Sequence, residues 1–373
     1  LLCDDIQIEA KNNNLKSLNS KCPILINSLK KKINEQFSRI NGEKTNISQA
    51  IEELSFLIKK SKSTLFAGMG TDIKGTKATL KIADKFKCII DHYSGDNYVK
   101  NIKSIQEAGG FFLTLSELKN RSDTIIIIQS SDDELPRLFE KYIFSKETIN
   151  NLKKRKVVFI GNKAPQFLHK SKKKLNFDHI KLNSISLLHF ISSLRNSINS
   201  KISEIKDKEI VNLLKLFKQT NYGSILWSVK ELDNSISDLI VTEINLLIQD
   251  LNKFTRFSGL SLEGSDHILT VNEVLLWQTG FPIRTSFASG FPVHDINQFS
   301  TKKLLDNKEI DLAIWINSFN EKKIIINNNL TSISLMSVAK SKKRNKGREI
   351  LYTPKDNIVL KPNDPLLFFI QRI

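Results

Sequence analysis

Cysteine is scarce: three thiols, Cys3, Cys22 and Cys88, occur in 373 residues. That number excludes a disulfide-built scaffold and favours a reducing compartment. Long hydrophobic runs are missing as well. The longest apolar stretches are strand-sized, short of the roughly 20 residues a membrane-crossing helix needs, so the expectation is a soluble chain in the cytoplasm. The sequence opens on Leu1 rather than Met, which leads us to expect further residues upstream and leaves a removed signal peptide open. Neither a Gly-x-Ser-x-Gly elbow nor a His-x-x-x-His pair occurs, so a serine nucleophile and a helical zinc pair have no signature here. Acidic residues are the minority, 39 against 57 basic ones, for a net charge of +18. Such a balance suits a polyanionic partner. Compositional drift explains it equally, because only ten of the basic residues are arginine while Asn and Ile are abundant. The basic clusters at 170–174 and 340–348 lack the interleaved aromatics of a base-stacking surface and read as solvated loops.

A chain of this length buries a sizeable core and has room for two or more lobes. Ile51, Leu54, Leu57 and Ile58 recur at helical spacing, with Glu52 and Glu53 near the favourable amino end, and predict a helix from residue 48. Apolar runs at 63–67, 88–90, 124–128, 157–160, 225–227, 312–316 and 323–326 are mostly uninterrupted, as strands buried on both faces of a parallel sheet are. Helical patterns at 78–86, 102–108, 187–198 and 236–251 fall between many of them. The predicted class is α/β, a multi-lobed parallel-sheet architecture with helices over both faces. We place a small segment at 1–45, a first α/β lobe at 46–196 and a second at 197–373, with the polar stretch at 196–209 as the junction. The tail at 347–362 reads as two short strands joined by a Pro354-Lys-Asp-Asn357 turn.

The most constrained stretch is 271–295. Gly280 and Gly290 are each followed by Phe-Pro, so two similar turns stand ten residues apart. Glycine admits backbone angles other residues resist, and proline fixes its own torsion while extending the residue before it. Trp277, Phe281, Phe287 and Phe291 are apolar anchors, and Arg284 and His294 are spaced polar groups. The stretch is either an ordered loop packed on a core or one that faces a partner. Gly68 and Gly70, at the exit of the 63–67 strand, are placed as α/β proteins place amides for an anion. They are equally an ordinary tight turn.

The segment 272–295 resembles the signature region of the B subunit of formylmethanofuran dehydrogenase, and is most similar to the variant in the formyltransferase/hydrolase complex of methylotrophic bacteria. Asp250-Leu-Asn-Lys-Phe-Thr-Arg-Phe-Ser-Gly-Leu260 and Tyr222-Gly-Ser-Ile-Leu-Trp227 resemble the same variant. Residues 1–6 resemble the end of the family's amino-terminal cysteine motif. The resemblance implies a fold like that of molybdopterin oxidoreductases. In redox-active relatives the positions matching Cys3 and Cys22 would be the third and fourth ligands of an iron-sulfur cluster. A cysteine within the segment matching 91–98 would bind tungsten or molybdenum held by a pterin. Anchoring the register on 106–109 and 117–123 puts that cysteine's position on Asn97, and a slip of one to three residues puts it on Ser94 or Asp96. None of these is a cysteine, and a soft thiolate donor cannot give way to an amide or hard oxygen without changing metal preference. Cys88 sits upstream in an apolar strand, where a buried structural thiol is the common case. His92, beside a strand end, reads as simply hydrogen-bonded, and Asp4 with Asp5 as solvated or capping. We therefore expect no molybdopterin, no iron-sulfur cluster, and no metal or catalytic centre in this chain.

What the resemblance implies instead is a non-redox scaffold, the B subunit, in a complex with A, C and D subunits. That complex would pass a formyl group from tetrahydromethanopterin to methylofuran and release formate in one-carbon oxidation. The methylofuran-type carrier would bear a polyglutamate tail. Arg256 and Arg284 are the named candidates to hold it, since the planar guanidinium fork matches carboxylates; an internal salt bridge or loop clamp is the other reading. Two alternatives stand beside this one: the B subunit of a tungsten- or molybdenum-pterin dehydrogenase, and a basic nucleic-acid-binding protein.

Overall fold

The computed structural model describes residues 2–11, 14–30, 38–130, 135–145, 155–162, 177–200, 207–262, 265–318, 334–338, 350–352 and 357–359. The strand expected at 323–326 and the basic clusters at 170–174 and 340–348 lie outside them. In chain order the first elements are β1 (Ile8–Lys11), β2 (Asn14–Ser17), α1 (Pro23–Lys30), β3 (Ser38–Ile40), β4 (Glu43–Thr45), α2 (Ile47–Lys60), β5 (Thr64–Gly70), α3 (Ile73–Phe86), β6 (Ile89–Ile90) and α4 (Gly95–Ala108). Next come α5 (Leu115–Asn120), β7 (Thr124–Ile128), α6 (Pro136–Leu138), β8 (Lys156–Ile160), β9 (Phe177–Ile180), α7 (Ser184–Asn199), α8 (Lys208–Gln219), β10 (Tyr222–Trp227) and α9 (Ser237–Leu251). The remainder are β11 (Arg256–Ser261), α10 (Ile268–Thr279), β12 (Thr285–Ser286), β13 (Val293–His294), α11 (Thr301–Asp306), β14 (Leu312–Asn317), β15 (Ser334–Val338), β16 (Ile350–Tyr352) and β17 (Asn357–Val359). Two compact units result, 1–33 with 100–263 and 34–99 with 264–373.

The sheet of the first unit is wholly parallel, in the order β11-β10-β7-β8-β9. Its centre is the run Thr124-Ile-Ile-Ile-Ile128, which is uninterrupted because both faces are covered. Ile126 and Ile128, with Val158, Ile225 and Trp227, pack against α7, α8 and α9 through Leu187, Leu213, Phe217 and Ile244. The alternate side chains Ile125 and Ile127, with Val157, Phe159 and Leu226, pack against Leu118, Leu138, Phe139 and Ile143. Each such side chain, fully removed from water, contributes about 1.5–3 kcal/mol. Arg155 ties the second layer down, donating to the carbonyls of Leu118, Lys119, Ser122, Tyr142 and Ile143. Asp4 and Asp5 are neither caps nor merely solvated: Lys141 holds Asp4 at 2.9 Å and Arg137 holds Asp5 at 2.5 Å.

In the second unit the sheet order is β13-β12-β6-β5-β14-β15. The strands β6, β5, β14 and β15 run parallel, while β12 is antiparallel to β6 and to its other neighbour β13. β5 lies between β6 and β14 and all seven of its residues are buried. The predicted helix at residue 48 is α2, capped by Asn46, whose side chain accepts from the Gln49 amide at 2.8 Å. α3 follows β5 after Asp72, whose carboxylate accepts from the Lys74 and Gly75 amides at 3.1 and 2.8 Å. Those amides, placed as an anion cradle would place them, are thus capped by the chain's own side chain. The 347–362 tail pairs as expected, with β16 antiparallel to β17.

The 271–295 stretch is more than a loop on a core. α10 stops at Gly280, in the left-handed region at φ 80, with its N–H bonded to the Leu276 carbonyl at 2.9 Å. β12 and β13 then form a hairpin whose turn is closed by the Gly290 amide on the Phe287 carbonyl at 3.0 Å. Thr285 stands opposite Ile90 and Ser286 opposite Ile89, so the hairpin extends the sheet through β6.

Candidate functional site

In open α/β sheets, ligands bind beyond the carboxyl ends of the strands, where the strand order reverses. In the second unit that point lies at β5, which has β6 on one side and β14 on the other. The segment singled out by the sequence, 91–98, leaves the carboxyl end of β6.

Asp91 is the hub of this edge. Its backbone amide continues the ladder to the Phe66 carbonyl at 3.0 Å, which turns the side chain inward. Asp91 Oδ1 accepts from the His92 amide at 2.8 Å and faces Arg284 Nε at 3.4 Å. Oδ2 accepts from both the amide and the hydroxyl of Thr301, at the start of α11, at 2.8 Å each. Burial pushes the Asp91 carboxyl above the usual carboxylate range, and the Arg284 charge and Thr301 donors work against that push. Arg284 is itself buried; it donates to the Ile296 carbonyl at 2.6 Å and to the Asp96 carboxylate. Gly95 is required here: a Cβ would stand 2.7 Å from Asp91 Oδ1 and 3.4 Å from Arg284 Nη2.

Beside the hub, His92 is buried and hydrogen-bonded through both ring nitrogens, as the sequence suggested. Nδ1 receives the Ser94 amide at 3.0 Å, so the ring proton belongs on Nε2, which donates to the Asp266 carbonyl at 3.1 Å. Tyr93 donates its hydroxyl to the Asp266 carboxylate. Asp266 and His267 take consecutive left-handed conformations, φ 50 and 64, and burial lowers the His267 pKa. Local strain of this kind gathers at functional edges. At the ends of β5 and β14, Thr71 Oγ1, Trp315 Nε1 and Ser318 Oγ are buried without a hydrogen-bond partner among the described residues. His294 donates Nδ1–H to the Arg284 carbonyl at 3.0 Å, its pKa lowered by burial.

The donor set does not fit a thiolate-held metal. Among the described residues no group of three His, Cys, Asp or Glu could hold an ion. At the three matched positions, Ser94 contributes its amide to His92, Asp96 carries the Arg284 contact, and Asn97 is half-buried on α4. Cys88 is fully buried before β6, and burial pushes its thiol up to about 12 against a hydrogen bond with Thr64. It is a protonated structural thiol. In the first unit Cys3 is exposed and Cys22 buried. The edge instead offers two hydroxyls and an indole N–H, donors suited to an acceptor-rich organic group, and a tyrosine held on a carboxylate.

The two arginines picked from the sequence fall in different units. Arg256 is exposed at the start of β11, opposite Tyr222; Arg284 is the internal clamp described above. Asp266, His267, Thr301 and Trp315 were not anticipated. Ser265-Asp266 ahead of a helical run is a turn signal, but nothing local connects it to residues more than 170 positions away.

No known protein-family profile matches the chain. Individual relatives do. The B subunit of the tungsten-containing formylmethanofuran dehydrogenase 2 of Methanococcus maripaludis is 21% identical over 345 residues, spanning 85% of this chain and 76% of that protein. The B subunit of the formyltransferase/hydrolase complex of Methylorubrum extorquens is 22% identical over 281 residues, spanning 75% of this chain and 74% of that protein. The chain is a homologue of these B subunits. The crystal structure of the Methylorubrum extorquens complex with methylofuran contains a chain of the same fold, with a TM-score of 0.69 at 19% identity and 82% of each chain covered. The α/β architecture expected from the sequence is therefore shared with a chain of that complex, and the homologue in Methylorubrum extorquens is one component of a larger complex. Among the described residues, no helix is long and apolar enough to cross a membrane.

Proposed function

We propose that this chain is the B subunit of a cytoplasmic formyltransferase/hydrolase complex and serves there as a non-redox scaffold beside the A, C and D subunits. The complex would move a formyl group from tetrahydromethanopterin to methylofuran and release it as formate. The observation that carries the reading is the donor set at 91–98. Where the redox relatives are expected to present a thiolate, this chain has Ser94, Asp96 and Asn97, with Asp96 turned to Arg284. On this reading neither a molybdopterin nor an iron-sulfur cluster is part of its work, and the chain contributes no catalytic residue.

A scaffold acts here by holding the carrier. A polyglutamate tail bound to a strongly basic subunit keeps the reactive end near successive active sites, at an effective concentration on the order of millimolar for a short flexible tether. Arg256, exposed at the edge of its sheet, is the arginine left available for that contact; Arg284 has its donors engaged within the chain.

The test is purification of the co-expressed complex followed by metal quantification and an assay of formate release from a formylated carrier. Formate release with no stoichiometric tungsten or molybdenum is the expected result. A second reading, the B subunit of a tungsten-pterin dehydrogenase, is favoured by the Methanococcus maripaludis relative, whose match spans more of this chain than that of the Methylorubrum extorquens protein. Stoichiometric tungsten, with oxidation of formylmethanofuran or a carrier like it, would establish that reading and overturn ours.

A further inference from the structure

Helix α3 carries Lys74, Lys77, Lys81 and Lys85. At about 100° per residue these four positions fall within one sector of roughly 80° on the helix surface. Lys74, Lys81 and Lys85 are exposed, and Lys77 is half-buried. The row continues past the helix, because Lys87 is exposed and its Nζ lies 3.9 Å from where a Cβ on Gly290 would stand. Two carboxylates on the same elements, Asp84 and Glu273, are exposed as well, so five lysines meet two acids. Asp72 is taken up by the helix cap.

Next to this row the second unit exposes aromatic surface. Trp277, near the end of α10, is 66% exposed, and Lys77 Nζ stands 4.2 Å from its ring centroid. Phe291, beside Gly290, is 62% exposed. Leu276 and Phe281 add smaller exposed apolar areas. These side chains do not hang from a loose loop. Residues 282–287 between them are buried, Gly280 fixes the helix end, and Arg284 clamps the hairpin from beneath. Large apolar groups held rigidly at a surface mark an interaction site, since little ordering remains to be done on binding. Exposed aromatics match the composition of interface cores, and the lysines beside them supply a positive field that steers an acidic partner.

We propose that this face, α3 together with the end of α10 and the β12–β13 hairpin, docks an acidic surface segment of a companion protein in the complex. Carboxylates of the partner lie along the lysine row, and its apolar side chains fill the space against Trp277 and Phe291. The inference rests on the chain being one component of a complex and adds which face meets the neighbour.

The experiment uses the full chain co-expressed with its A, C and D companions, with assembly followed by native mass spectrometry and affinity measured across a salt series. A charge-reversal variant, Lys74→Glu with Lys81→Glu and Lys85→Glu, loses at least tenfold in affinity. Trp277→Ala with Phe291→Ala also weakens assembly, and that loss persists at high salt. Lys215→Glu with Lys218→Glu on α8 of the first unit is the control for charge alone and assembles as wild type does. Hydrogen exchange on the unaltered protein keeps the result independent of variant folding: amides of α3 and the hairpin become protected in the complex. The docking face is overturned if the reversal variant assembles normally, if the control weakens equally, or if those amides gain no protection. It is also overturned if the reversal variant instead abolishes salt-sensitive RNA or DNA binding by the chain alone. Failure of the wild-type chain to assemble with any of the three companions overturns the proposed function itself, a result separate from a face-specific failure.

Discussion

Arg284 Nε lies 3.4 Å from Asp91 Oδ1, bridging 193 residues of sequence. The pairing joins the hairpin that carries the family resemblance to the strand end at which redox relatives are expected to place their metal ligand. Arg284 adopts φ 66, a left-handed conformation that a bulky residue holds only when its surroundings over-determine it. Asp91, Asp96 and the Ile296 carbonyl are those surroundings.

Removing the guanidinium leaves Asp91 buried without its counter-charge. Arg284→Ala is expected to destabilise the protein by about 3–5 kcal/mol, the usual consequence of breaking a buried pair. Urea unfolding measures this, and faster hydrogen exchange at 285–294 localises it. Lysine has a single ammonium and cannot reach three sites at once, so Arg284→Lys restores less than half of the loss. Full restoration by lysine would contradict the clamp.

Gly95→Ala tests the close approach at the same place. The new methyl would stand 2.7 Å from Asp91 Oδ1, a carboxylate held by four other groups. We expect a destabilisation of about 1–3 kcal/mol, in the range of overpacked sites. An unchanged melting temperature would mean that the carboxylate yields more easily than its hydrogen bonds imply.

The thiols separate by reactivity. With its pKa pushed to about 12, Cys88 holds on the order of one thiolate in ten thousand at pH 8. Iodoacetamide labelling of the folded chain, read by peptide mass spectrometry, is expected to modify exposed Cys3 first and Cys88 only after unfolding. Early alkylation of Cys88 would show that the strand end opens.

Asp311 supplies a pH dependence. Burial raises its pKa, but hydrogen bonds from the Ser61 hydroxyl and the Lys62 and Ser63 amides outweigh that and hold it below the ordinary carboxylate value. A lowered folded-state pKa means that the stabilisation is complete above the unfolded value near 3.9 and fades as pH falls through the folded one. Asp311→Asn therefore melts a few degrees lower at pH 7, and the gap to wild type closes below about pH 4. A gap that persists at pH 2 would assign the loss to packing instead.

The parallel cores were legible because strands covered on both faces lose their alternation, and runs such as 124–128, 157–160 and 312–316 stand out for that reason. Helix α2 was legible from its spacing. β12 and β13 were not, since two-residue strands have no period to detect, and β9 at a sheet edge mixes polar with apolar residues. Grouping 34–99 with 264–373 could not be read from composition, because each unit draws on stretches far apart in the chain. At the site, the missing thiol was visible as a residue type. For Arg284 the sequence left two roles open, and burial beside Asp91 gives the clamp; that choice depends on tertiary contacts alone. Thr301, Asp266 and Trp315 carry no local mark of their positions.

Strand β5 pairs with β14 in the register Thr64 to Leu312, so its partner leaves the ribosome nearly 250 residues later. At about 5–20 residues per second, that interval is roughly 10–50 s. Throughout it the buried run Thr64-Leu-Phe-Ala-Gly-Met-Gly70 has one unsatisfied edge, a ready template for wrong pairing. Overproduction that outpaces chaperone capacity is therefore expected to yield aggregates seeded at this strand.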